Sequence, residues 1–76
     1  MLTEDQKRGL EWLYNSYSFD KGYALKFLKS KEEEWSNKMM ALRGAVSILG
    51  YKFEPKGIVN EYGVEYPKYE LVEIDK

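Results

Sequence analysis

The sequence predicts an α+β fold in which three helices precede a small antiparallel β-sheet. As far as residue 49, apolar side chains recur every three or four residues, which is the spacing of amphipathic helices. From Tyr51 onwards the period changes to two, because Tyr51 and Phe53 alternate with charged residues, as in a strand with one buried face. The helical part is therefore expected over about residues 3–49 and the β part over about residues 51–74.

The first helix is expected to begin at a capping box. The Thr3 hydroxyl can accept from the amide of Gln6, whose side chain can reach back to the cap. Glu4 and Asp5 follow the cap, where negative charge suits the positive end of the helix dipole. Short polar side chains at residues 15–18 compete for backbone groups, so we expect this helix to weaken there.

Two further helices are predicted before the strands. A short one begins at Asp20 and ends near Ser30. Ser30 is itself a cap residue followed three positions later by a glutamate, so a third and longest helix is expected to run from it to Leu49. Gly50 suits the left-handed position that follows a helix. One continuous helix over residues 21–49 is the alternative.

The last third of the chain predicts short strands that pair antiparallel. Residues 51–54 form the first strand, and residues 69–74 form the last and pair with it. Proline ends the first strand and interrupts the chain again before the last one, because proline cannot donate to a ladder. Between them, residues 58–66 are expected to form a small separate hairpin with Gly63 at a positive φ.

The predicted core collects the apolar faces of all these elements. Its members are Leu10, Leu13, Tyr14, Tyr17, Phe27, Leu28, Trp35, Met39, Leu42, Val46, Leu49, Phe53, Leu71 and Val72.

Length and composition exclude several classes of function. The 76 residues leave room for a single domain, residues 1–76. Neither cysteine nor histidine occurs, which removes most zinc, haem and iron–sulfur sites and the nucleophile pairs that need a histidine base. There is also no phosphate-binding glycine loop and no aspartate-rich calcium loop. No two carboxylates are spaced so that one would act as the general acid and the other as the general base. We expect neither an enzyme nor a bound cofactor or metal.

Targeting signals are not evident in the sequence. The first nine residues contain no apolar segment, and neither end shows a lipidation motif. The longest apolar-rich stretch, residues 39–49, is interrupted by Arg43 and Ser47 and is much shorter than a membrane span of about 20 residues. A domain this small without disulfides fits a cytoplasmic location.

The aromatic content points to a protein interface as the leading function. Aromatic residues make up 16% of the chain, and tyrosine and tryptophan are enriched at interface hot spots. Trp12 lies about 160° from Leu10 around the first helix, on its polar side. Met39 and Met40 are adjacent and cannot both face the core, and methionine suits adaptable surfaces. Trp12, Met39 and Met40 are therefore the candidate interface residues, although core packing explains each of them as well.

The predicted element order is also that of winged-helix DNA-binding modules, which gives the alternative function. In that arrangement the helix from Lys31 would be the recognition helix. Its donors to DNA would be Lys31, Asn37, Lys38 and Arg43, and Lys56 would be a further donor from the loop that follows. However, three glutamates open this helix and would repel phosphates, and the net charge is −1. A small non-enzymatic module that binds another protein, including a second copy of itself, remains the leading prediction. A third hypothesis is an accessory subunit that folds fully only on a larger partner.

Overall fold

The computed structural model describes residues 2–74 and contains two α-helices followed by one β-hairpin. Helix α1 (Glu4–Phe27) sets the length of the molecule, because its 24 residues span about 36 Å and the longest molecular axis is 38 Å. The predicted capping box is confirmed: the Thr3 hydroxyl accepts from the Gln6 amide at 3.1 Å, and the Gln6 side chain accepts from the Thr3 amide at 2.9 Å. The α+β class is confirmed as well.

The predicted break after the first helix is wrong, because α1 continues through residues 15–18 and beyond. Asn15 and Ser18 do not compete for the backbone of their own helix. The Asn15 amide group donates to the carbonyl of Tyr69 at 3.0 Å and accepts from the amide of Tyr69 at 2.8 Å. The buried Ser18 hydroxyl donates to the carbonyl of Pro67 at 2.6 Å. The first two predicted helices are therefore one, Asp20 lies inside it, and the three-helix, winged-helix order is not confirmed.

Helix α2 (Glu32–Ile48) follows a 3₁₀ turn, Lys29–Lys31, so the break expected near Ser30 is confirmed and a continuous helix over residues 21–49 is wrong. Ser30 does not cap α2, because it lies inside the turn and the residue before α2 makes no side-chain cap bond. With 17 residues, α2 is shorter than α1, which corrects the expectation that the last helix is the longest. Gly50 follows α2 with a φ of 87°, as predicted.

Strands β1 (Tyr51–Glu61) and β2 (Val64–Glu73) form one long antiparallel hairpin. The pairing of residues 51–54 with the last strand is confirmed, but the separate small hairpin is not, since the same ladder continues to the turn. The prolines do not end the strands. The Pro67 carbonyl accepts a hydrogen bond from α1 and so points away from β1. Pro67 and its cross-strand partner Ile58 therefore form a pair that exchanges no hydrogen bonds, where the N–H that proline lacks is not needed. At Pro55 the pairing of β1 with β2 also continues, with a bulge between Pro55 and Gly57.

Helix α1 lies along the outer edge of β2 and satisfies its backbone groups. In addition to Asn15 and Ser18, Glu11 accepts from the amide of Leu71 at 3.2 Å. Lys26 donates at 2.6 Å to the carbonyl of Gly63, in the turn just before β2. An unpaired strand edge is a template for aggregation, and burying its polar groups unpaired is costly. A row of polar side chains on α1 thus replaces a third strand.

The hairpin is twisted, so it presents opposite faces to the helices at its two ends. Near the base, the odd-numbered Tyr69 and Leu71 are the β2 residues that pack into the core. Near the turn, the even-numbered Val64 and Tyr66 are buried instead. Side chains alternate between the faces of a strand, and the bulge after Pro55 increases the local twist. The hairpin therefore coils around α1.

The core lies where both helices meet the base of the hairpin. Tyr14 stacks on Phe53 with ring centroids 3.8 Å apart, and Met39, Val46, Tyr51 and Leu71 complete the buried cluster. Burial raises the pKa of the Tyr14 phenol above its usual range. The α2 residues that pack into this core are Met39, Leu42 and Val46, and their spacing agrees with the predicted helical face. Trp35, one turn earlier, is half-buried, and its ring lies 6.0 Å from that of Tyr17.

Three predicted core residues are exposed in the structure. Phe27 and Leu28 are 57% and 51% exposed because the hairpin turn reaches only as far as Lys26, so the end of α1 extends beyond it. Leu49 follows α2 and is also exposed. The predicted domain bounds of 1–76 include residues 1, 75 and 76, which lie outside the described residues.

Candidate functional site

An open cavity lies between α1 and the turn end of the hairpin, and we call it the aromatic groove. It has a volume of about 710 Å³, and four aromatic residues line it: Trp12, Phe19, Tyr62 and Tyr66. The Phe19 ring lies 5.4 Å from that of Tyr66 and 6.2 Å from that of Tyr62. Trp12 is 71% exposed and Tyr62 is 94% exposed, so both rings face solvent and not the core.

The aromatic groove carries both signs of charge. Glu11 and Glu61 line it, but each carboxylate already accepts a hydrogen bond, from the Leu71 amide and from the Tyr66 hydroxyl respectively. Arg8 and Lys68 also line it, and among residues 2–74 neither makes an ion pair. The groove is thus formally neutral, with two unpaired cations and two engaged carboxylates.

A second exposed surface lies on α2, on the side away from the core. We call it the α2 outer face; its residues are Met40, Ala41, Gly44, Ala45 and Ile48, all exposed. They form two adjacent rows with a spacing of four residues, as neighbours on one helix face do. Met40 is 60% exposed and Ile48 is 88% exposed. No charged side chain interrupts these rows, because Arg43, the one charge between Met40 and Ile48, projects to the flank of the core side.

The three candidate interface residues occupy three different environments. Trp12 lines the aromatic groove, and Met40 lies on the α2 outer face. Met39 is only 6% exposed and packs in the core with Tyr14 and Val46, so it cannot contribute to a surface of the folded chain. Met39 therefore lies in the core, where the helical period also places it, and Met40 is the methionine that faces out.

The residues of the DNA-binding alternative are exposed but do not form one cluster of free cations. Lys31 and Arg43 are twelve positions apart on or beside α2, about 18 Å along its axis. Lys38 lies 3.7 Å from Glu34 and 4.3 Å from the ring centroid of Trp35. Asn37 is exposed on α2, between Lys31 and Arg43 in the chain.

Two of these cations also act on nearby carboxylates. Lys56 lies 3.3 Å from Glu54 and 3.8 Å from Glu70 on the hairpin. Partial burial raises the pKa of the Asp20 carboxyl above its usual range, and the charge of Lys38 opposes that increase. The positive charge available to a phosphate at these positions is therefore smaller than the residue types suggest.

Sequence reasoning missed Tyr62 as a surface residue. A signal was present, since Tyr62 directly precedes Gly63 between two alternating segments, and a two-residue turn at these positions would place the tyrosine at the tip. In the structure both residues have positive φ, 55° for Tyr62 and 77° for Gly63. The expected positive φ of Gly63 is confirmed.

Within residues 2–74, no group of three or more acidic side chains is placed to hold a metal ion, and neither helix is long and apolar enough to cross a membrane. Comparison with family models, with curated proteins and with solved structures finds no match to this chain. The two exposed surfaces are therefore the observations on which a functional proposal can rest.

Proposed function

We propose that this protein is a non-enzymatic interaction module that pairs with a second copy of itself through the α2 outer face. The observation that supports this is a contiguous, uncharged surface on the side of α2 opposite the core, with Ile48 88% exposed. Burying an isoleucine side chain stabilises a complex by about 1.5–3 kcal/mol, and a two-fold dimer buries this side chain in both copies.

A second copy is the partner that the chemistry of this face favours. A two-fold dimer places identical residues against each other, so a charged face would repel itself while the α2 outer face does not. The small residues Ala41, Gly44 and Ala45 lie between the larger Met40 and Ile48. Small side chains at a contact reduce the distance between helix axes, and the larger ones then interlock on either side.

The charges on α2 favour an antiparallel arrangement of the two helices. The first turn of α2 contains three glutamates, Glu32, Glu33 and Glu34. A parallel pair would bring these carboxylates of both copies together, and like charges in contact oppose association. In an antiparallel pair that crosses at Gly44, Met40 of one copy faces Ile48 of the other, and the acidic turns lie at opposite ends.

Sedimentation velocity over a range of protein concentrations tests this proposal. We expect the wild-type chain to dimerise and Ile48→Lys to remain monomeric at high micromolar concentration, because two buried ammonium groups would face an apolar surface. The matched control is Ile58→Lys, which changes another exposed isoleucine, 66% exposed on the hairpin. Circular dichroism checks that both variants fold.

The absence of cysteine allows the orientation to be tested by disulfide formation. A mixture of Met40→Cys and Ile48→Cys chains should form a disulfide between copies, whereas Met40→Cys alone should not. A wild-type chain that stays monomeric at high micromolar concentration contradicts the proposal. If that monomer also binds duplex DNA with a steep salt dependence, the DNA-binding alternative is favoured instead.

A further inference from the structure

We propose that the aromatic groove binds an extended, proline-rich peptide segment of another protein. The aromatic groove is a different surface from the α2 outer face, and its occupation does not depend on dimerisation. Peptides in the polyproline II conformation dock on aromatic grooves, because the rings contact the proline faces and the peptide is already extended before it binds. Four aromatic side chains line this groove, and two of them are largely exposed.

Tyr62 is the residue whose presence the fold explains least. It is 94% exposed, and among residues 2–74 it is the only residue other than glycine with a positive φ. A two-residue turn of this kind prefers asparagine, aspartate or glycine at its first position, and a bulky residue there is strained. A tyrosine at this position weakens the turn and contributes little to the core, so the ring is better explained by contact with a ligand.

The spacing of the rings on α1 fits the repeat of the proposed ligand. Trp12 and Phe19 are seven residues apart on the same helix face, which corresponds to about 10.5 Å along the axis. One turn of a polyproline II helix spans three residues, about 9.3 Å. Prolines one turn apart can therefore contact successive rings, and the exposed Trp12 indole N–H can donate to a peptide carbonyl.

The charges of the groove favour a peptide over a single-stranded nucleic acid. Oligonucleotide grooves are strongly positive along their length, whereas here Glu11 and Glu61 balance Arg8 and Lys68. Arg8 lies one helical turn before Trp12, and Glu61 lies at the opposite end, beside the hairpin turn. A peptide with an acidic residue at one end and a basic residue at the other complements this distribution.

Titration of the ¹⁵N-labelled protein, followed by its two tryptophan indole signals, tests this inference. The probes are a synthetic peptide with two Pro-Pro pairs between a terminal glutamate and a terminal arginine, and the same peptide in reversed order. We expect one of them to shift the Trp12 indole signal, while that of Trp35, which packs toward Tyr17 on the other side of α1, stays in place. The Ile48→Lys variant should bind equally well, which separates this test from that of dimerisation.

Variants of the groove give the second readout. Trp12→Ala and Tyr62→Asn should each weaken peptide binding at least about tenfold, as removal of an aromatic hot spot does. Tyr62→Asn should also raise the melting temperature, because asparagine tolerates the positive φ. A purely structural role for Tyr62 would not produce this opposite change of stability and affinity. Ile58→Ala, on an exposed position outside the groove lining, is the control and should bind as the wild type does.

Three outcomes overturn the inference. In the first, neither peptide shifts the Trp12 signal at millimolar concentration. In the second, both groove variants bind the peptide as tightly as the wild type does. In the third, a thymidine oligonucleotide binds the groove more tightly than either peptide, which assigns the surface to single-stranded nucleic acid.

Discussion

Asn15 joins helix α1 to the edge of β2 in the way that a neighbouring strand would. Its side-chain amide donates to the carbonyl and accepts from the amide of the same residue, Tyr69, at 3.0 Å and 2.8 Å. A side-chain amide has the same donor and acceptor as a peptide group, so it can replace one unit of a ladder. Ser18 and Glu11 extend the contact on either side, each with a single hydrogen bond.

We expect Asn15→Asp to destabilise the protein by roughly 1–3 kcal/mol at neutral pH, because a carboxylate oxygen would replace the donor to the Tyr69 carbonyl. Urea unfolding monitored by circular dichroism measures this. A protonated carboxyl can donate again, and a carboxylate that faces the Tyr69 carbonyl has a raised pKa in the folded state. The loss of stability should therefore decrease as the pH falls through that raised pKa, and it should level off below the pKa of an ordinary aspartate, about 4.

Asn60→Asp is the matched control, since Asn60 is exposed on β1 and makes no side-chain hydrogen bond within the described part of the chain. It places a carboxylate opposite Glu65, its cross-strand partner, so it should lower the free energy of unfolding by no more than about 1 kcal/mol. An Asn15→Asp variant as stable as this control at neutral pH would show that the contact with Tyr69 contributes nothing.

At the scale of elements, the contact between α1 and β2 depends on a glycine inside the helix. A Cβ atom at Gly22 would lie 3.1 Å from the Glu65 carbonyl oxygen, 3.1 Å from a methyl group of Val64 and 3.3 Å from the Cβ atom of Tyr66. Glycine lowers helix stability by roughly 1 kcal/mol relative to alanine, and here it allows the strand to approach the helix closely. The sequence showed this cost, but not the contact that explains it.

Alanine substitutions at two glycines of the same helix should therefore have opposite effects. Gly9→Ala should stabilise the protein by about 0.5–1 kcal/mol, because a Cβ atom there meets nothing within 4 Å. Gly22→Ala gains the same helix propensity but must displace the β2 backbone, so we expect net destabilisation. Thermal unfolding of both variants measures the difference, and equal stabilisation by both would contradict the close approach of α1 and β2.

At the scale of the whole molecule, two helices and one hairpin cannot cover each other completely. Helix α1 contacts the hairpin at both ends, whereas α2 packs only near its base and leaves its outer face exposed. A domain of this size buries only about 60% of the surface of its unfolded chain, so its stability is limited. Association through the α2 outer face would add apolar burial that the single chain lacks.

If the folded state is a dimer, its melting temperature depends on protein concentration. A tenfold dilution changes the free energy of a dimer by about 1.4 kcal/mol, which corresponds to about 4 °C for two chains of this length. We expect this shift in calorimetric scans of the wild-type chain and no shift for Ile48→Lys. A wild-type melting temperature that is independent of concentration would contradict a dimeric native state.

Local signals determined much of the fold. The capping box at Thr3, the glycines with positive φ at Gly50 and Gly63, the inward face of α2 and the pairing of residues 51–54 with the last strand all follow from the sequence. Each depends on residues close in the chain or on a simple period of hydrophobicity. Such features are set by backbone conformation and side-chain type, so they can be predicted without knowing what lies opposite.

Only the tertiary structure decided how the elements continue and which surfaces remain exposed. The polar side chains of Asn15 and Ser18 suggested the end of a helix, but their partners lie 54 and 49 residues away on β2. Likewise, the sequence did not show that Tyr62 projects into solvent. Long-range hydrogen bonds and the twist of the hairpin determine these outcomes, because each depends on the position of a distant segment and not on its neighbours in sequence.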